Sequence, residues 1–336
     1  MSELRWNPLL GEWVVTAAHR QGRTYFPPAE FCPLCPTTDS NHPTEIPEPS
    51  FDIVSFENRF PSFETHPEAP AVLGSKLYAV RPSQGVCEVV VYTPCHTSTL
   101  AQEPVAKIER LIRVWTDRFE ELGALQFVKY VFIFENKGAA IGVTLTHPHG
   151  QIYAYPFVPP LIGRELAESH AHRERTAQCL LCNIVMEELS TGVRIVTENE
   201  SFVAYVPFFA RWPYEVHIAS KRHLQALTDF TIAERLNLAR ILKVTLGAFD
   251  RLFNTQLPYM MVLHQRPTDD NSYDDYHFHI EFYTPLRTAT KLKYLAGSES
   301  GAGTFINDRL AEEGASELRS HATQVLADRE RTQELD

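Results

Sequence analysis

The sequence predicts an α+β fold with a mainly antiparallel sheet. Three observations carry this. Short runs rich in Val, Ile, Phe and Tyr alternate with turn residues; each half of the chain has one long helical pattern; and the same landmarks occur twice, in the same order, along 336 residues. Consecutive strands are then joined by turns or by that one helix, which gives antiparallel neighbours.

The repeat sets residues 31–156 against residues 178–285. Cys32-Pro-Leu-Cys35 precedes an extended run from Phe51 to Phe60, as Cys179-Leu-Leu-Cys182 precedes Val193 to Phe202. Next come two β-rich runs that end at a histidine, Val86 to His96 and Tyr214 to His223. Apolar residues then recur at three-to-four spacing from Val105 to Leu122 and from Ile232 to Phe253, which predicts two amphipathic helices. Val128 to Asn136 parallels Tyr259 to Gln265, and His147-Pro-His149-Gly-Gln151 parallels His277-Phe-His279-Ile-Glu281. The chain thus divides into an N-terminal half, 1–162, and a C-terminal half, 163–336, with a hinge at Pro159 to Gly163. Pro43 to Pro70 reads as a surface excursion, Arg164 to Arg175 as a charged helical stretch, and 308–336 as a polar terminal helix. The Gly- and Ser-rich segment Lys291 to Asn307 is either a loop over a ligand or a plain exposed loop.

The composition, 44% hydrophobic and 22% charged, is that of a water-soluble globular protein, and no run of about 20 apolar residues is present to cross a membrane. No basic, apolar leader opens the chain, so a cytoplasmic location is expected. A net charge of −11 argues against nucleic-acid binding by phosphate neutralisation but leaves room for a small anion held by local donors. Six cysteines are too few for a disulfide scaffold, and four of them form C-x-x-C pairs.

Each pair supplies two thiolates, and a tetrahedral Zn(II) site needs two further ligands. His96 and His147 are the candidates for Cys32 and Cys35, with Cys95 as an alternative; the repeat assigns His223 and His277 to Cys179 and Cys182. A redox pair or plain core cysteines are the competing readings, though no thioredoxin-like βαβ pattern surrounds either pair. Two closed Cys2His2 sets point to structural sites. His264, His279 and Glu281 fall near the second set, with a further metal role open to them; for His264 a satisfied strand histidine is the simpler reading.

In an extended strand His147, His149 and Gln151 share a face. Gly150 lets a substrate approach closely, and Pro148 suits a ladder gap. An imidazole with a free ring nitrogen is a good nucleophile toward phosphorus, and the resulting phosphoramidate is reactive enough to pass its nucleotide on. Gln151 can donate to a non-bridging phosphate oxygen as charge builds.

With Phe134-Glu-Asn136-Lys-Gly upstream, the run His147-Pro-His-Gly-Gln-Ile152 resembles the active-site signature of the galactose-1-phosphate uridylyltransferase family, in the histidine-triad superfamily. Arg20 and Arg23, Cys32 and Cys35, Asn58 in Glu-Asn-Arg-Phe, and His96 in Thr-Pro-Cys-His also fit, from Trp6 to about Asp308. The resemblance implies two histidine-triad-like halves that form one sheet flanked by helices. It implies that His149 accepts UMP from UDP-glucose and passes it to galactose 1-phosphate. It implies that Asn58, Asn136, Gly142, Val143, Thr144 and Gln151 contact the nucleotide, while Lys293, Tyr294, Gly297 and Glu299 approach the hexose from the partner subunit of a homodimer. Two zinc ions per chain are expected, the second site being open to iron.

The sequence departs from the best-known members twice. Val143 and Thr144 stand where those have Cys and Ser, and Cys179 and Cys182 stand where many bacterial members use Glu and three His. Two alternatives follow: an ADP-glucose or dinucleotide phosphorylase on the same nucleophile, and, in another class, a zinc-stabilised binding protein in which His149 has no chemical role.

Overall fold

The computed structural model describes residues 2–22, 27 and 31–332. Twelve strands and five helices follow in order: β1 (Ser2–Asn7), β2 (Glu12–Ala17), β3 (Val54–Glu57), β4 (Val80–Pro82), β5 (Val86–Val91), α1 (Val105–Gly123), β6 (Tyr130–Lys137), β7 (His149–Tyr155), α2 (Pro160–Thr176), α3 (Leu180–Thr191), β8 (Ile195–Glu198), β9 (Phe202–Tyr205), β10 (Val216–Ser220), α4 (Ile232–Leu252), β11 (Tyr259–His264), β12 (His279–Tyr283) and α5 (Ala311–Thr332). A nine-stranded sheet, in the order β3-β5-β7-β6-β11-β12-β10-β9-β8, runs through both halves, which meet where β6 pairs with β11. All its pairings are antiparallel, so the fold is α+β as expected. A small sheet, β2-β1-β4, stands beside it.

The two helical patterns become α1 and α4 within a residue of the predicted ends. Ile108, Leu111, Ile112, Trp115 and Phe119 form the apolar stripe of α1, each at most 2% exposed, and pack with α4 on one face of the sheet. Alternation along the strands decides what the other face does. On β9, Phe202 and Ala204 join that main core, while Val203 and Tyr205 pack under Val185 and Leu181 of α3, so this end of the sheet is covered on both faces. On β7, Ile152 and Ala154 face the same main core, but His149, Gln151, Tyr153 and Tyr155 are only partly buried. The N-terminal half therefore keeps an open sheet face.

The expected hinge at Pro159 to Gly163 is the start of α2. Proline is tolerated at the first helical position because its missing N–H has no partner there anyway, and Gly163 N already donates to Pro159 O at 2.9 Å. Helix α4 begins with a capping box: Glu234 N donates to Thr231 Oγ1 at 3.2 Å and Thr231 N to Glu234 Oε2 at 2.8 Å. Thr231→Ala is expected to cost about 1 kcal/mol, read as a lower urea midpoint at unchanged slope.

Candidate active site

Strand β7 is entered from the β6–β7 loop, whose path depends on glycine. Gly138 has φ +99° and a Cβ there would lie 2.7 Å from Pro258 Cβ; Gly142 has φ +81°. This loop brings Gly142, Val143 and Thr144 over the open face of β7, beside Asn136 at the end of β6. Arg20, Asn58, Asn136, Gly142, Val143, Thr144, His149 and Gln151 line one cleft. Arg20 Nη1 donates to Tyr153 Oη at 3.2 Å and also to Ser62 Oγ. Asn58 is fixed by accepting from Phe60 N at 2.9 Å. Leu34, Phe56 and Val89 supply apolar walls, Val89 standing across the ladder from Gln151. Sequence reading passed over these three, although Phe56 shares strand parity with Asn58 and Leu34 lies between two cysteines already singled out.

His149 Nδ1 lies 2.7 Å from His147 O. A carbonyl oxygen only accepts, so Nδ1 carries the proton and the lone pair is on Nε2. Burial holds the His149 pKa below the ordinary histidine value, so the ring is neutral at pH 7.

His147, immediately ahead of β7, is fully buried, and its Nε2 donates to Thr93 O at 2.8 Å, which leaves Nδ1 bare. That nitrogen lies 3.4 Å from Cys35 Sγ, as does His96 Nδ1. The ligand atoms of Cys32, Cys35, His96 and His147 all lie within 4.8 Å of one another, a group able to hold a metal ion. The same logic recurs in the second half. His277 Nε2 donates to Ser220 O at 3.0 Å, and its bare Nδ1 lies 3.3 Å from Cys182 Sγ and 3.7 Å from Cys179 Sγ, with His223 Nδ1 3.6 Å from Cys182 Sγ. A hydrogen bond from Cys182, followed by those from the two histidines, lowers the Cys179 pKa, as suits a thiolate ligand.

A third group, Glu165, His264, His279 and Glu281, also has its ligand atoms within 4.8 Å of one another. His264 Nδ1 bonds Glu165 Oε2 at 2.9 Å, and His279 Nδ1 bonds His277 O at 3.0 Å, as its repeat counterpart His149 bonds His147. Glu165 was read only as part of a charged helix; its distance in sequence from His264 hides the contact.

One part of the expected site is not described and another lies apart from the cleft. Arg23 is outside the described residues. Lys293, Tyr294, Gly297 and Glu299 sit in the segment after β12, away from the cleft of their own chain: Lys293, 4% exposed, is ion-paired with Glu299 at 3.0 Å, while Tyr294 is 71% exposed.

Profiles of the galactose-1-phosphate uridyl transferase N-terminal and C-terminal domains match residues 1–159 and 165–332. The chain belongs to the galactose-1-phosphate uridylyltransferase family. It is 41% identical over 326 residues to the Thermotoga maritima galactose-1-phosphate uridylyltransferase, an alignment that covers 97% of this chain and all of that one. The Rattus norvegicus enzyme of the same name is 34% identical over 94% of this chain and 86% of its own. A solved uridylyltransferase structure superposes with a TM-score of 0.86 at 36% identity, covering 96% of this chain and 99% of the other. An Arabidopsis thaliana ADP-glucose phosphorylase, covering 95% of this chain and 98% of its own, shares the fold with a TM-score of 0.70 at 23% identity. No described helix is long and apolar enough to cross a membrane.

Proposed function

We propose that this chain transfers UMP from UDP-glucose to galactose 1-phosphate through a uridylyl-His149 intermediate. The observation that carries the mechanism is the His149 Nδ1–H bond to His147 O, which fixes the proton on the ring nitrogen remote from attack. Nε2 attacks the α-phosphorus; an N–P bond forms, the P–O bond to the β-phosphate breaks, and glucose 1-phosphate leaves with the electron pair. A phosphate oxygen of galactose 1-phosphate then attacks the same phosphorus, the N–P bond breaks, and the lone pair returns to Nε2. The Nδ1 proton stays in place throughout, and the His147 carbonyl dipole offsets the positive charge that the ring carries while the N–P bond exists.

The cleft supports this assignment from both ends. Leu34, Phe56 and Val89 can sandwich a base, and Asn58, Asn136, Thr144, Arg20 and Gln151 can serve ribose and phosphates. We place the chemistry in the half 1–162 and a second metal in the half 163–336, both sites being structural zinc with iron as an alternative in the second. Cys32, Cys35, His96 and His147 would hold the first ion, which fixes the root of the catalytic strand; Cys179, Cys182, His223 and His277 would hold the other. In a cytoplasmic homodimer, Lys293, Tyr294, Gly297 and Glu299 would approach the hexose in the partner's cleft, with Arg23 beside the phosphates.

The test is to mix the metal-replete protein with UDP-glucose labelled at the α-phosphate and follow acid-labile, base-stable label on the protein. Galactose 1-phosphate should discharge the label as UDP-galactose; discharge by inorganic phosphate alone would make the enzyme a phosphorylase. Gln151→Ala should lower kcat about 10²- to 10³-fold, the cost of removing one donor aimed at developing negative charge, with the thermal midpoint little changed.

A further inference from the structure

Glu135 precedes Asn136 on β6, and its side chain enters the sheet face opposite the cleft, where the residue is 3% exposed. In the ladder it stands across from Gly150, between His149 and Gln151, and from Met261 on the other side. Tyr259 Oη and Tyr92 Oη both donate to its Oε1, at 2.7 and 3.2 Å. Those two bonds use both lone pairs of a carbonyl oxygen. Oε2 is buried without any partner in the protein. Ionised, it would leave an unpaired charge out of water; protonated, the carboxyl keeps its carbonyl oxygen on the two tyrosines and its hydroxyl on Oε2.

Glu135 lines a cavity of 380 Å³ that also reaches His149 and shares Asn136 and Val143 with the cleft. The other charged groups around it are already engaged. Lys137, on the same strand, is paired with Asp250 of α4 at 2.8 Å. Asp250 acts in turn on Tyr259, and Glu103, ahead of α1, acts on Tyr92. From β7 and its approach, His149 and His147 line the same cavity and are neutral at pH 7. Burial raises the Glu135 carboxyl to about 7, against the tyrosine bonds and Lys137, which lower it.

We propose that Glu135 is a positioning residue for phosphate binding: as a neutral acid it lies uncharged behind strand β7, across the ladder from Gly150, and when ionised it sets a negative charge there that opposes the anionic substrates. This rests on the uridylyl-transfer reading. The protonated form is the one that binds well, so binding is full at low pH and is lost as pH rises through the carboxyl's folded value. His96 and His147, which would be held by the metal, line the same cavity, so the titration is followed in the metal-replete protein.

The experiment measures kcat and KM for UDP-glucose from pH 6 to 9 in the metal-replete wild type and in Glu135→Gln, whose amide keeps the shape but cannot ionise. Wild-type kcat/KM should fall about tenfold between pH 6.5 and 8.5, chiefly through KM. In Glu135→Gln that limb should be absent, and a carboxylic C=O infrared band present at neutral pH in the wild type should be missing. The same alkaline limb in the variant, or a limb confined to kcat, overturns the proposal. If Glu135→Gln does not fold, Tyr92→Phe serves: it removes a bond that favours the ionised form, so the limb should move to higher pH, and an unmoved limb overturns the proposal equally. Failure of the wild type to take up label at pH 6.5 would instead sink the transfer reading itself.

Discussion

His149→Ala is expected to abolish uridylyl transfer, lowering kcat at least about 10⁴-fold, while the protein folds and keeps its metal content. Alanine removes the atom on which the intermediate is built, so neither half-reaction has a substitute path; a surface donor such as Gln151 only stabilises charge that the nucleophile creates. His149 makes one hydrogen bond, to the carbonyl of His147, and belongs to none of the groups of possible metal ligands, so its loss leaves the fold's main ties intact. The readouts are covalent label from UDP-glucose, which should vanish, and the thermal midpoint, which should move little. Residual turnover within about tenfold of wild type would show that His149 is not the nucleophile; no label in the wild type either would favour a binding protein with a bystander histidine. The acid limb of the wild type adds an independent check. The attacking form is neutral and burial lowers the His149 pKa, so activity should persist below the ordinary histidine value of about 6.5 before protonation removes it.

Much of this arrangement is legible in the sequence because it rests on local periodicity. The three-to-four spacing of Ile108, Leu111, Ile112, Trp115 and Phe119 can be read without knowing what the helix packs on. Gln151 and His149 are two residues apart on a strand, so their common face follows from the pleat alone. The duplicated C-x-x-C and H-x-H landmarks bring together groups that are far apart in number, such as Cys35 and His147, because the second copy removes the element of chance.

What stayed hidden depends on tertiary context or on mixed patterns. Strands β1 and β2 are short, β1 buried only over Ser2, Glu3 and Leu4 and β2 half-exposed, with charged and aromatic residues interleaved, so Ser2–Asn7 and Glu12–Ala17 show no clean alternation. Helix α3 starts inside the second C-x-x-C, a pair that reads more readily as a metal loop than as a helix start. Pro159 and Pro160 signal a break, yet they cap a helix. Glu135 looks like one more charged residue in Phe-Glu-Asn-Lys; only Tyr92, just after β5, and Tyr259 on β11 reveal it as a buried, hydrogen-bonded acid.

On the proposal that Cys32, Cys35, His96 and His147 hold a metal, its removal is the second large effect to expect, acting on folding and on chemistry together. Cys32 and Leu34 are 2% and 3% exposed and pack with Ile46, Val89 and Val91, so the loop that carries two thiolates also walls the cleft. Without an ion, the Cys35 thiol can still donate to the bare Nδ1 of His147 at 3.4 Å, but that one weak bond replaces coordination that would tie all four ligands together. A metal present at about a thousand times its dissociation constant contributes roughly 4 kcal/mol. For a 336-residue chain with about 2.1 cal/mol/K of unfolding entropy per residue this corresponds to about 6 °C in thermal midpoint. Chelation, or Cys32→Ser, should therefore lower the midpoint by that amount and raise KM for UDP-glucose as the wall at Leu34 loosens. His147 O, which orients His149, lies in the same group, so label uptake should fall as well. Restoring zinc should recover both in the chelated wild type and neither in the variant. A midpoint insensitive to chelation while metal analysis shows the ion gone would mean that packing alone holds the loop, and the four ligands would then need another reason to face one another.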